Sequence, residues 1–465
     1  MSIEKITLEE IEHSRHQLSL RFSADDLYFN TSYWYDSVNL LELKDKYNRN
    51  FINSLFFHIA SFEINKLGSL KPDYVDFGDY SCYQTQEFES LWKKIFKNVW
   101  AQWRYENQFT DYYYPEVVSS GTEDDQSPVT ISSTYPEVLS FCGGGKDSLV
   151  QMKILEEGEI PFDSVGYSVS IYGSHSKQHS LLQGLIEHLS PENHRQQWIF
   201  SDFLDAPTLE LYSELEPNSL LAAETPSSIF ANLPLALSEG YTSIVLGHER
   251  SADRGQAYWE EIGEEINHQW GKSYEAERLL NSYIQNNLLD NFQFYSVLKP
   301  IYDPVIFNLL RRHDEAIPNT HSCNIDKPWC CRCPKCAYVW ANYMAYLPVS
   351  LVNDMFSENL FDLPENHLSF RRMLGLEERL PFECIGQMQE ARLAFELCRH
   401  KGIEGQALDE YTQELAPIEV EPILDKYLSV EPERSGIPTD VKRRIIPQMR
   451  AGAKEARSYV ESIIY

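Results

Sequence analysis

Residues 138–150 read Val-Leu-Ser-Phe-Cys-Gly-Gly-Gly-Lys-Asp-Ser-Leu-Val, and this run narrows the possible folds more than any other in the chain. A short apolar strand enters three glycines, and an apolar-periodic helix follows at once. Gly143, Gly144 and Gly145 let the backbone turn sharply and bring its N–H groups against phosphate oxygens. The start of the helix adds the positive end of its dipole at the same place. Lys146, Asp147 and Ser148 complete the cradle: Asp147 suits magnesium and Ser148 suits a phosphate oxygen. The run lacks the G-x-x-x-x-G-K-[ST] spacing of a Walker A loop. The plain alternative is a glycine-rich turn with no ligand, but the loop stands where a doubly wound fold binds one.

From Val138 the chain alternates strand and helix. Ser164–Ile171, Gln196–Phe200 and Ser243–Gly247 read as the second, third and fourth strands, with helical stretches at Ser180–Leu189 and Ser228–Glu239. This rhythm predicts an α/β fold, a doubly wound and mostly parallel sheet with helices on both faces. Residues 1–130 form a separate aromatic-rich accessory domain in this reading. They include helical apolar spacing from Leu91 to Trp103, and end in a polar, breaker-rich linker over Ser119–Pro128. Residues 131–345 are the nucleotide-binding catalytic domain, and residues 346–465 a mainly helical region.

A chain of 465 residues with a net charge of −30 repels nucleic-acid phosphates and anionic lipid surfaces alike. No apolar run reaches the ~18 residues that span a bilayer. The opening residues Met-Ser-Ile-Glu-Lys-Ile-Thr-Leu-Glu-Glu lack a signal-peptide core, so the expectation is a soluble cytoplasmic protein that binds neither nucleic acid nor membrane.

The fourth strand runs into Gly247, His248, Glu249, Arg250, Ser251, Ala252, Asp253 and Arg254. In a parallel sheet that segment opens onto the same crevice as the glycine turn. Arg250 and Arg254 have the fork that clamps phosphates or carboxylates. On a helix, His268, Lys272 and Glu275 would share one face, which could present an acid/base pair; the alternative is a solvated face with an ordinary histidine.

Of nine cysteines, five fall between Cys323 and Cys336. Cys323, Cys330, Cys333 and Cys336 have the spacing of a four-thiolate zinc site, closed and structural. Cys331 is surplus or a substitute for Cys330. Free reduced thiols and an iron–sulfur cluster are the alternatives. The metal would pin the loop before a helix starting near Ala337.

The glycine turn resembles the S-G-G-x-D-S loop of the PP-loop ATP pyrophosphatases, with Gly143 where that family has its first serine. The cysteine spacing is similar to that of the deazaguanine nitrile synthases, themselves PP-loop enzymes. The glycine turn, Gly247–Ala252, Asn267–Glu275, Cys330–Cys336 and Pro381-Phe382-Glu383-Cys384-Ile385-Gly386 together resemble the MurL family over residues 138 to about 400. That resemblance implies an ATP-dependent epimerase that turns the terminal L-Glu of UDP-N-acetylmuramoyl-L-alanyl-L-glutamate into D-Glu, and functional pairing with an L-Glu-adding muramoyl ligase. It implies ATP, Mg2+ and Zn2+ as cofactors.

An enolate formed beside a free carboxylate would carry two negative charges. Adenylation removes one charge and acidifies the Cα–H bond, which gives an epimerase a reason to own an AMP-forming site. On this resemblance Gly143–Ser148 and Gly247 hold the nucleotide. Arg250, Arg254 and Lys272 meet the adenylate or the substrate carboxylates. His268 and His248 are the candidate acid/base pair, with Cys142 and Tyr274 in reserve. Arg311, Arg312, Lys327, Arg332 and Lys335 add local positive charge for an anionic substrate. Two other readings share the site: another adenylating enzyme that forms nitriles or amides, and a non-catalytic nucleotide-binding module.

Overall fold

The computed structural model describes residues 3–118, 127–203, 205, 207, 224–415 and 417–465. Residues 119–126, most of the expected linker, lie outside the described residues. Its strands are β1 (Lys5–His13), β2 (Gln17–Ala24), β3 (Leu27–Tyr35), β4 (Tyr74–Asp76), β5 (Glu116–Val118), β6 (Val138–Phe141), β7 (Asp163–Val169), β8 (His194–Ser201), β9 (Ser243–Leu246), β10 (Ala257–Trp259), β11 (Glu264–Ile266) and β12 (Gln293–Ser296). Ten of them form one sheet in the order β12-β9-β6-β7-β8-β3-β2-β1-β4-β5, and β10 pairs with β11 in a small hairpin.

The sheet is mixed but mostly parallel. From β12 to β8 every neighbour is parallel, whereas β8-β3, β3-β2 and β2-β1 are antiparallel. In the parallel half the chain starts at β6, steps outward to β7 and β8, then returns to lay β9 and β12 on the other side of β6. The winding therefore reverses between β6 and β9. At that point two successive loops diverge from the carboxyl ends of adjacent strands and leave a crevice. The crossovers include the helices Lys146–Glu157, His175–Ile186, Glu224–Glu239 and Tyr274–Asn287. The strands and helices foreseen from Val138 onward are thus present, with ends shifted by a few residues.

Strand side chains alternate between two cores. Val138 and Val245 join Leu149, Met152 and Leu155 on one face, while Leu139, Phe141, Ile244 and Leu246 point to the other. The second core is where the N-terminal aromatics go. Helices Arg49–Asn65 and Gln86–Val99 bury Phe57, Phe62 and Trp92 in the same core as Phe230 of the Glu224–Glu239 helix. Phe62 and Phe230 stack at 4.2 Å, a contact worth about 0.5–1.5 kcal/mol beyond its buried area. The first core also takes the C-terminal helices, through Phe395, Leu424, Ile445 and Met449.

The boundary at residue 130 marks a change of strand direction and no break in the sheet. β3 pairs with β8 from Thr31↔Ser201 to Tyr35↔Gln197, so the N-terminal meander continues the parallel half. Each core draws on more than one of the three sequence regions.

Candidate functional site

The glycine turn leaves β6 at the sheet's reversal point, and Gly144 within it cannot be larger. Gly144 has φ +82°, and a Cβ there would lie 2.1 Å from the His321 ring. A Cβ on Gly247, after β9, would meet Gln151 and the Asp147 carbonyl. The two loops and the segment 320–324 therefore touch through backbone, and His321 N–H donates to the Gly144 carbonyl at 2.8 Å. Gly145 caps the Lys146–Glu157 helix with no side chain, so the first N–H groups of that helix are free of a side-chain cap. Ser148 Oγ accepts the Gly143 N–H at 2.9 Å, which leaves its own hydrogen to donate. A cavity of about 220 Å³ opens here, lined by Gly143, Gly145, Asp147, Ser148, Gly247, His248, Glu249, Lys272, Lys327 and Lys335.

Beneath this cavity lies a buried charge network. Lys146 is only 5% exposed, and its Nζ bridges Asp147 Oδ1 and Asp303 Oδ1, each at 2.6 Å. Its ammonium thus fixes the two carboxylates and does not line the cavity. Burial raises Asp303 to about 6, Lys146 opposing and Glu249 and Asp147 adding to the rise. Asp303 accepts from Tyr338 OH at 2.9 Å, and its N–H donates to Glu390 Oε1 at 3.1 Å. Glu390, which also accepts the Ser251 hydroxyl, is pushed up to about 8 by burial and by Asp303. Glu249 goes the other way: burial opposes ionisation, but Lys146, Lys272 and Lys299 outweigh it and lower its pKa. Lys299 is fully buried and donates to the carbonyls of Glu249 at 3.0 Å and Lys272 at 2.8 Å, tying the loop after β9 to the 270s turn.

A second cavity, about 380 Å³, adjoins the first. Tyr172, Glu224, Lys272 and Lys335 line both. The second is walled by Trp103 and Gln102 from the N-terminal helices, by His268, and by Phe382, Glu383 and Cys384. Lys272 Nζ donates to Cys384 Sγ at 2.9 Å. The His268, Glu383 and Cys384 donor atoms all lie within 4.8 Å of one another. Burial alone would raise the Cys384 thiol; Lys272, Lys335 and His268 outweigh it and bring it down to about 7. His268 would be lowered by burial, but its hydrogen bond to Cys384 and the charges of Cys384 and Glu383 raise it.

His268, Lys272 and Glu275 do not share a helix face. Ser273 caps the helix Tyr274–Asn287 by accepting the Ala276 N–H, so the helix starts after Lys272, and His268 sits in a turn after the β10–β11 hairpin. Glu275 is held by Trp270 Nε1 at 3.0 Å and by Lys94 at 3.1 Å. His268 and His248 line different cavities; burial, Lys272 and Lys299 keep His248 well below the usual histidine range.

Arg250 is buried, paired with Glu431 and set over the Tyr302 ring, and neither Arg250 nor exposed Arg254 lines either cavity. Cys142 is buried in the first core and pushed up to about 12 by desolvation. The Tyr274 N–H donates to Asp253, and the ring lines neither cavity. Arg311 lies over Tyr459, Arg312 pairs with Glu455 and Glu157, and Arg332 with Glu358 and Glu365; of the charges named near the knot, Lys327 and Lys335 reach the cavities.

Cys323, Cys330, Cys333 and Cys336 converge, their sulfurs within 4.8 Å of one another. Backbone N–H groups of Ile325, Asp326, Arg332 and Cys336 point at three of them from 3.3–3.4 Å. Four thiolates so surrounded fit a tetrahedral zinc. Cys331 lies outside the group on a φ of +61°, its thiol toward the Trp329 carbonyl. The following helix begins at Pro334, three residues before Ala337, with Cys333 as its cap.

Sequence reasoning quoted Cys384 and Glu383 within a motif but gave them no role, and it missed Tyr172, Glu224 and His321. The composition around Cys384 holds no signal of its own, because its partners come from residues 268 and 272. His321 was within reach as a neighbour of Cys323, though nothing marked it as the ring that packs on Gly144.

Residues 227–297 match the family model described as the MurL N-terminal domain, and residues 319–417 the one described as the MurL C-terminal domain. The first stretch holds His248, His268 and Lys272; the second holds the four converging cysteines and Cys384. Three curated relatives are each named UDP-N-acetyl-alpha-D-muramoyl-L-alanyl-L-glutamate epimerase. The protein of a Micromonospora species is 26% identical over 64% of this chain and 64% of its own length. That of Salinispora tropica is 26% identical over 61% of this chain and 59% of its own, and that of Xanthomonas oryzae pv. oryzae 25% over 62% and 64%. The chain therefore spans somewhat less than two thirds of the relatives it matches. The loop after β9, the 270s turn and the cysteine knot fall inside those two matched stretches and the glycine turn lies outside them, so over that part of the crevice the chain is similar to the MurL family.

Proposed function

We propose that this chain is an ATP-dependent epimerase that inverts the terminal L-Glu of UDP-N-acetylmuramoyl-L-alanyl-L-glutamate after adenylating it. The activity named for the three relatives supports the substrate. One observation supports the chemistry above the rest: two adjoining cavities share Lys272, one with phosphate-cradle features and the other with a thiol, an imidazole and a carboxylate.

The first cavity fits a nucleotide triphosphate by its donor set. It has the uncapped helix start after Gly145, the Ser148 hydroxyl, and lysines at 272, 327 and 335. Asp147 and Glu249 are the carboxylates that would hold Mg2+, which would draw charge off the phosphates. Lys146 acts from below by keeping Asp147 in place. His248, held neutral, is suited to hydrogen bonding and not to charge.

In the reaction, an oxygen of the carboxylate on the glutamate Cα attacks the α-phosphorus, and pyrophosphate leaves. The activated carbonyl no longer bears the carboxylate charge, so the Cα proton becomes removable. A proton returns to the opposite face, and water then releases AMP and the D-isomer. Lys272 stands between the two events, near the phosphates on one side and the thiol on the other. The N-terminal helices contribute by walling the second cavity with Gln102 and Trp103.

The four-cysteine group holds a structural Zn2+ in this reading, fixing the segment that carries His321, Lys327 and Lys335. An ATP-using step on a UDP-linked precursor belongs in the cytoplasm, beside the ligase that adds L-Glu to the muramoyl-L-alanine nucleotide. Among the described residues no helix is long and apolar enough to cross a membrane. The net charge of −30 disfavours nucleic acid.

The test is incubation with ATP, Mg2+ and the L-Glu muramoyl dipeptide nucleotide, followed by product masses and chiral analysis of glutamate. The expected products are AMP, pyrophosphate and D-Glu in the dipeptide. AMP without D-Glu would leave an adenylating enzyme of another kind, and no nucleotide cleavage would leave a binding module.

A further inference from the structure

The second cavity contains a hydrogen-bonded chain that the nucleotide does not need. Glu106 Oε2 accepts the Gln102 amide N–H at 3.0 Å, which turns Gln102 Oε1 toward His268 Nδ1. Nδ1 is therefore the protonated nitrogen, assigned from this network, and the other ring nitrogen is left for Cys384. On its far side, Cys384 Sγ receives the Lys272 ammonium at 2.9 Å. The thiol is thus held by the Lys272 ammonium on one side and on the other by the second His268 nitrogen, which donates to it when the ring is protonated, in a wall shared with Glu383 and Phe382.

The loop carrying Cys384 is fixed at several points. Gln269 Nε2 donates to the Ile385 carbonyl at 3.1 Å, and the Glu383 carboxylate accepts the Cys384 N–H at 2.8 Å. A Cβ on Gly386 would lie 2.1 Å from Tyr338 OH, so that position admits glycine only. Gln387 and Glu390 then close a capping box that starts the helix Met388–His400. A thiol with two cationic or imidazole partners, on a pinned loop, beside a phosphate cradle, is the arrangement of an activated cysteine and not of a core one. Cys398 and Cys142 provide the contrast: both are fully buried among apolar side chains, and desolvation raises each to about 12.

We infer that Cys384 is the base that takes the Cα proton of the adenylated glutamate, with Lys272 and His268 holding it as thiolate. This rests on the adenylation reading above. Sγ gains the proton, and the C–H electron pair moves into the activated carbonyl. A solvent water protonates the opposite face, and the thiol returns its proton to the hydroxide that remains. In the reverse direction the same groups act in the reverse order.

Two measurements on the full chain decide it. The first is the rate of Cys384 alkylation by iodoacetamide against pH, read by peptide mass. The wild type should inflect near 7, as the thiol's lowered pKa requires, and Lys272→Met should move the inflection up by about one unit or more. The second is the ratio of Cα deuterium incorporation from D2O to ATP–pyrophosphate exchange, with the muramoyl dipeptide nucleotide present. In Cys384→Ser that ratio should fall at least about 100-fold, the scale of a lost proton-transfer group. A ratio within about threefold of wild type, or a wild-type inflection at the value of an ordinary thiol, overturns the assignment. Loss of a second equivalent of zinc in Cys384→Ser overturns it too, because His268, Glu383 and Cys384 would then be metal ligands. Absence of pyrophosphate exchange in the wild type takes down the adenylation reading itself, and this one with it.

Discussion

The two cavities are built on different principles. The first is made by topology: the strand order reverses between β6 and β9, and the loops that diverge there open on glycines, three after β6 and Gly247 after β9, so backbone N–H groups help to line it. The second is made by long-range side-chain convergence. Its walls come from residues 99–106, 172, 224–225, 268–272, 324–335 and 382–384, which no single supersecondary unit brings together. A backbone site survives most surface change and fails when a glycine or its anchoring acid is altered. A convergent site depends on each loop being pinned, and here the pins are Lys299, Gln269 and Glu390. Lys272 belongs to both.

The largest effect should come from the topological site. Asp147→Ala removes the cavity carboxylate that Lys146 holds, and AMP formation should fall by about 10³-fold or more. Circular dichroism should remain that of the wild type, because Asp147 is a partly exposed acid in the first turn of a helix whose interior is untouched. Retention of more than about a tenth of the activity would mean that the first cavity is not where the nucleotide is cut.

Next in size is the metal. Cys333→Ser should abolish a zinc stoichiometry near one per chain, read by atomic emission, and lower the melting temperature by roughly 10 °C or more. The reason is positional: Cys333 caps the helix Pro334–Tyr346, and the knot anchors the segment that packs His321 on Gly144. A chain with full zinc after this change would point to Cys331 as a replacement ligand.

The shared residue tests whether the cavities are separate. Lys272→Ala should slow pyrophosphate exchange by about 10- to 100-fold, since one ammonium near the phosphates is lost. It should also raise the pH at which epimerisation half-develops, because Cys384 loses the cation that most opposes the upward push of burial. An effect on one readout alone would separate the cavities; an effect on both makes Lys272 their common electrode.

The same contrast explains what could be read in advance. The β6 strand, its glycines and the return at Ser243–Gly247 are local signals, since periodicity and glycine content report backbone geometry directly. The four cysteines were legible for a similar reason: thiols clustered at such short spacing are the pattern of a metal site rather than of a disulfide framework. What could not be read was contact. His268 looked like one end of a helix face because residues 268–275 permit helical spacing, yet the Ser273 cap starts the helix five residues later. Arg250 looked like a phosphate clamp because it follows a strand, yet its guanidinium pairs with Glu431, a residue no local pattern connects to it. The N-terminal meander gave no sign that it would extend the same sheet, because strand pairing between residues as far apart as Thr31 and Ser201 leaves no periodic trace.

The smallest effect concerns the joint between the cavities. Glu390 links them: its carboxylate accepts from Ser251 of the loop after β9, from the Asp303 N–H that leads to Lys146, and from the Gln387 N–H beside the Cys384 loop. Burial and Asp303 raise it to about 8, so between an unfolded value near 4.5 and that figure the folded chain holds a proton the unfolded chain has released. Its contribution to stability is full below about 4.5 and is lost as pH rises through about 8. Melting temperature should therefore decline by a few degrees between pH 5 and 8.5. Glu390→Gln should flatten that slope, at a cost of about 1–3 kcal/mol for the N–H left without an acceptor. A slope unchanged in the variant would assign the proton to Asp303, the other member of the pair, and would move the joint between the cavities one residue closer to the nucleotide.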